Sequence, residues 1–164
     1  MVKRATIESV LLTSTRVSTF QGATQLSGAS GFFFERDSRL YLVTSRHVLF
    51  DAQSQHEPDR VEIELHTNTF NLTLTTAFSI LLYRNGIAVW RQGSDTSGDI
   101  DVAVIELERQ AMPARCALLA FTPVHLQTTL SDVEIGSPLL VVGFPLGFHD
   151  TLHHLPVARL ACVA

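Results

Sequence analysis

The sequence predicts an all-β fold, and three observations carry that reading. Short apolar runs recur along the chain, some alternating with period two as in Val61-Glu62-Ile63-Glu64-Leu65. Turn residues punctuate them, most clearly Asn85-Gly86, whose tolerance of positive φ suits a two-residue hairpin turn. No stretch sustains the 3.6-residue periodicity of an amphipathic helix. Short strands at this spacing belong to a barrel or a sandwich.

Taken in order, residues 6–17 are rich in Val, Leu and Thr and are expected to form the first strand, followed by a small, polar, glycine-bearing loop over 21–31. Phe32-Phe33-Phe34 and residues 40–44 flank a polar turn and make a hairpin. Residues 61–65 and 72–75 alternate as half-buried strands. Residues 79–84 and 87–91 surround Asn85-Gly86. A loop over 93–98 opens onto a strand at 99–107, and residues 108–113 read as a linker. Residues 118–121 follow, then a polar patch to 134, a strongly apolar strand at 137–143, a tight loop at 143–147 and a last strand at 156–163.

Composition narrows the function. The 164 residues are 46% apolar and 17% charged, the profile of a packed protein rather than a disordered one. A net charge of -4 with scattered Arg and Lys argues against a nucleic-acid partner. No segment approaches the roughly 18 to 20 apolar residues of a membrane helix, and the N-terminus lacks an apolar core of signal-peptide length. Cys116 and Cys162 stand far apart in apolar settings; a disulfide would join them, but two buried free thiols are the more economical reading. These features fit a cytoplasmic protein with no membrane association.

Chemistry concentrates at two strand ends. Tyr41-Leu42-Val43-Thr44 runs like a buried strand and delivers His47 to a loop mouth, a rigid base for a proton-transferring ring. Asp101 occupies the mirror situation at the start of the 99–107 strand. A carboxylate bonded to one imidazole nitrogen fixes the tautomer and stabilises the imidazolium as it forms. Asp101 is preferred to Asp99 because Val102-Ala103-Val104 follows it directly and would bury it.

Four segments in order, Gly28-Ala29-Ser30-Gly31-Phe32, Leu42 to Val48, Asp101-Val102-Ala103-Val104 and Val142-Gly143-Phe144-Pro145-Leu146-Gly147, resemble the trypsin-like (chymotrypsin-fold) serine peptidases, closest to the bacterial branch that includes the HtrA-like proteases. The resemblance implies two β-barrels with the active site between them: an N-terminal barrel over residues 1–110 carrying His47 as general base and Asp101 as its orienting carboxylate, and a partial C-terminal barrel over 111–164. It implies acyl transfer on a protein or peptide substrate, with no metal or organic cofactor. In that family the nucleophilic serine lies in a Gly-x-Ser-Gly segment after the strand that 156–163 resembles, and the sequence stops at Ala164 before one. The chain as given is therefore expected to be idle. The alternatives are a non-catalytic binding or regulatory relative, and a site completed in trans.

Other candidates are weaker. Ser30 lies in a Gly-x-Ser-Gly match, but upstream of the histidine, where the family has a small-residue strand entry. Ser45 reads as structural and Cys162 as a small core residue. His149 and His153 would share a metal only on a helix, and nothing caps one there. Exposed C-terminal strands predict a homo-oligomer formed through the last third of the chain.

Overall fold

A computed structural model describes residues 7–129 and 131–164. The fold is all-β. A 3-10 turn at Ser9–Leu12 leads into β1 (Ser14–Gln21), which pairs antiparallel with β2 (Thr24–Arg36). β2 turns back into β3 (Arg39–Thr44), and the one-turn helix α1 (Arg46–Leu49) follows at once. Next come β4 (Arg60–His66) and β5 (Thr75–Leu81), then a small hairpin of β6 (Tyr83–Arg84) and β7 (Ile87–Ala88). β8 (Trp90–Asp95) and β9 (Gly98–Leu107) complete a seven-stranded sheet of order β5-β4-β1-β2-β3-β9-β8. β10 (Pro138–Gly143) and β11 (Val157–Cys162) form a separate two-stranded sheet.

The large sheet curls around one core without closing into a barrel: β5 and β8 are its two ends and form no ladder with each other. Phe78 and Ile80 from one end and Trp90 from the other nevertheless pack on the same interior as Val17, Phe33, Leu40, Leu42, Ile63 and Ile105. Period-two alternation explains which side chains enter. In β1 that places threonines inside, and the buried hydroxyls find partners: Thr15 Oγ1 donates to the Glu64 carbonyl at 2.8 Å, and Thr19 Oγ1 lies 2.8 Å from Ser27 Oγ. Met112, Cys116, Leu118 and Ala120 pack against the same core, so its packing runs past residue 110. Among the described residues no helix is long and apolar enough to cross a membrane.

Several expected elements lie elsewhere. Thr6, the first residue of the expected opening strand, is outside the described residues; the strand itself begins only at Ser14, after the 3-10 turn. The expected 21–31 loop is mostly strand. Gly31 marks close approach rather than a turn: a Cβ there would stand 2.7 Å from Leu42 Cδ1 and 3.2 Å from the Val43 carbonyl oxygen. Residues 72–74 are a turn, with the Thr73 amide donating to Asn71 Oδ1, and the strand starts at Thr75. β8 runs through Gly93 into the expected 93–98 loop with a register shift between Gln92 and Ser94. The hairpin at 85–86 forms as expected, with positive φ at both Asn85 and Gly86. Cys116 and Cys162 are free thiols, but neither is fully buried: Cys116 is half-buried, and Cys162 is exposed because, among the described residues, β11 pairs only with β10.

Candidate active site

Strand pairing brings His47 and Asp101 together. β3 and β9 are neighbours, with Thr44 opposite Ala103 as the last pair, so the residues just beyond that pair share one end of the sheet. The chain leaves β3 at Ser45 and bends into α1, and Val48 and Leu49 are buried, anchoring the helical turn on the core. His47 is thereby presented on a fixed base rather than in an open loop.

The first-turn N–H groups of a helix have no partner within it. Ser45, the residue just before α1, makes no side-chain cap, and Asp101 supplies one from the neighbouring strand. The His47 amide donates to Asp101 Oδ1 at 2.9 Å, and His47 Nδ1 lies 2.7 Å from Asp101 Oδ2. The carboxylate accepts, so the ring nitrogen donates: Nδ1 carries hydrogen and Nε2 keeps its lone pair. Nε2 has no hydrogen-bond partner among the described residues, and the side chain is 61% exposed. The ring can accept a proton at Nε2 and share the resulting charge with Asp101.

The Asp101 carboxyl is held below its ordinary value of 3.8, first by the hydrogen bond from the His47 amide and then by the ring and by nearby Arg46, against a partial desolvation that acts the other way. The reason for preferring Asp101 over Asp99 is corrected here. Asp101 is not buried; its side chain is 55% exposed. Burial in β9 begins at Ala103, where pairing with β3 starts, and Val102 is also exposed. What singles out Asp101 is its place two residues past the last β3–β9 pair, within reach of both His47 donors.

The remaining candidates take structural positions. Ser30 Oγ accepts the Phe144 amide at 2.7 Å, and the Ser30 carbonyl accepts from Thr44 Oγ1 at 2.9 Å. A Cβ at Gly143 would lie 2.8 Å from Ser30 Oγ, so glycine is required for this approach. Ser30 thus fastens β2 to the start of the 144–147 loop. Ser30→Ala is expected to lower stability by about 1 kcal/mol, because the Phe144 amide loses its acceptor, and to leave labelling by a serine-directed fluorophosphonate unchanged. Urea denaturation and gel fluorescence check the two parts; loss of labelling would reassign Ser30. Ser45 and Asp101 line a cleft of about 220 Å³ that Ser30 and Val142 share, so Asp101 faces β10. Burial pushes the Cys116 thiol up, away from thiolate chemistry.

The second histidine cluster does not converge. His149 stacks on His154 with ring centroids 5.9 Å apart, His153 Nδ1 bonds Asp150 at 2.7 Å, and His66 Nε2 donates to the His153 carbonyl at 2.6 Å. These contacts pin the 149–154 turn onto β4, where His154 also lies 3.0 Å from Glu64. Sequence reasoning had no signal for this docking, since 87 residues separate His66 from His153. No protein-family model matches the chain, and no curated protein matches it.

Proposed function

We propose that this chain is the His- and Asp-bearing part of a trypsin-like serine endopeptidase, and that its curled sheet and its C-terminal hairpin belong to that family's two β-barrels. The observation that carries the reading is the double engagement of Asp101. One carboxylate caps the helical turn that positions His47 and orients the His47 ring, leaving Nε2 free to act. A merely solvated histidine gains nothing from such an arrangement, whereas a general base for acyl transfer needs it. The serine, its oxyanion donors and the specificity pocket would come from polypeptide packed over the cleft beside Val142.

Exposed apolar side chains on the C-terminal hairpin favour such a covering. Leu140, Val141 and Leu160 are all exposed, and an isolated two-stranded sheet is marginal in water. A second copy of this chain is the other occupant, which is the oligomer anticipated above. The test is activity-based labelling of the native gene product beside the 164-residue chain. The native product is expected to label with a fluorophosphonate and lose labelling on His47→Ala, while the short chain stays dark. A native product that never labels would favour a non-catalytic relative.

A further inference from the structure

We propose that the outer face of β2, β3, β9 and β8 docks an extended acidic peptide, with two carboxylates six residues apart and apolar residues between them. The register lays this face out as a grid. Phe34 stands opposite Tyr41, Val43 opposite Val104, and Val104 opposite Arg91. These residues form the floor of a groove of about 360 Å³, with Arg36 and Arg91 on its rim.

The charges define the occupant. Arg91 makes no ion pair or hydrogen bond among the described residues. Among the described residues Arg36 pairs only with its chain neighbour Asp37, at 3.5 Å between two well-exposed side chains, a weak pairing. Glu106, the one carboxylate lining the groove among the described residues, is paired with Arg39 at 3.5 Å, which offsets its charge only weakly because both side chains are exposed. The groove therefore keeps two available guanidinium groups at opposite corners, on a chain whose net charge is -4. Complementarity calls for an anion at each corner and an apolar body between them.

The spacing chooses a polypeptide. Arg91 and Arg36 lie three strands apart sideways and four residues apart along the register, about 20 Å at ~4.8 Å per strand and ~3.3 Å per residue. In an extended peptide the same distance spans about six residues, and residues i, i+2, i+4 and i+6 share one face. Carboxylates at i and i+6 then meet the two arginines while apolar residues at i+2 and i+4 lie on Tyr41, Val43 and Val104. A fatty acid would neutralise one corner only. A lipid surface calls for a basic cluster, which an acidic chain with two separated arginines lacks. β8 is also the last strand of its sheet, so a peptide arriving at Arg91 meets an open backbone edge.

The probe is a fluorescent peptide Glu-Ser-Val-Ser-Leu-Ser-Glu, blocked at both ends and titrated with the whole chain by fluorescence anisotropy. Saturable binding that weakens with added salt is expected, with a loss of about tenfold or more on Arg91→Glu and a comparable loss on Arg36→Glu. The same peptide with lysine at both ends should not bind. Both arginines are exposed, so thermal melts of the variants should match the parent and separate lost binding from lost folding. Equal binding of the lysine peptide, no saturation at millimolar concentration, unchanged affinity in Arg91→Glu, or tighter binding to anionic vesicles than to the peptide would each overturn the proposal.

Discussion

In the peptidase proposed above, Asp101→Asn is expected to lower kcat by about 10⁴-fold, the scale seen when a triad carboxylate loses its charge but keeps its shape. The reason lies in the count of donors. His47 offers Asp101 two, its amide and Nδ1–H, and the carboxylate accepts both, one on each oxygen. An asparagine has one acceptor oxygen and one amide donor. If the oxygen takes the His47 amide, the NH₂ group faces Nδ1 and forces hydrogen onto Nε2, where the ring no longer accepts a proton. If it takes Nδ1–H, the NH₂ group opposes the backbone N–H and the turn at Ser45 loses its cap. Nitrogen-15 shifts of the His47 ring should report the Nδ1–H tautomer in the parent chain and a shift toward Nε2–H in the variant. An unchanged tautomer would break the link between Asp101 and the ring.

The same bond sets an acid limit. Asp101 has a folded-state value below 3.8, so its contribution is present above the unfolded value and is lost as pH falls through the lower folded one. The parent dyad should therefore persist to below pH 3.8, and Asp101→Asn should abolish that acid transition. Asp101 is mostly exposed, so this is a local event at the sheet end and a small part of global stability.

Leu42→Ala should produce the largest loss of stability, about 3 to 5 kcal/mol from the transfer and cavity terms together. Leu42 is fully buried in β3, between β2 and β9, and its Cδ1 fills the space left by Gly31. Alanine would open a cavity in a region with little freedom to collapse, because the neighbouring backbones are tied in a continuous ladder. Against a total of about 5 to 15 kcal/mol, this approaches unfolding. Leu160→Ala, at a site 87% exposed on β11, should change stability by no more than about 0.5 kcal/mol. Urea denaturation of the two variants checks the contrast; equal losses would mean that the C-terminal hairpin carries core packing that its exposure denies.

The strands at 61–65 and 99–107 and the Asn85-Gly86 turn were legible because a strand's apolar pattern and a turn's φ are local properties, although the alternation read at 72–75 falls mostly on a turn. So was the placing of His47 and Asp101 at strand ends. The strand character of β2 was not legible. Ser30 and Gly31 look like loop residues until the neighbours that use them are in place: Phe144 bonds the Ser30 hydroxyl, and Leu42 and Val17 fill the space a Gly31 side chain would need.

The sequence by itself determined an all-β chain with an ionisable ring and a carboxylate each waiting at a strand end. Only the tertiary structure decided that they meet, because the contact spans 54 residues and depends on β3 and β9 being neighbours. It also decided why Asp101 holds the site. The aspartate is chosen by two donors converging on one carboxylate, a matter of position in the ladder, and not by the burial that its apolar neighbours imply.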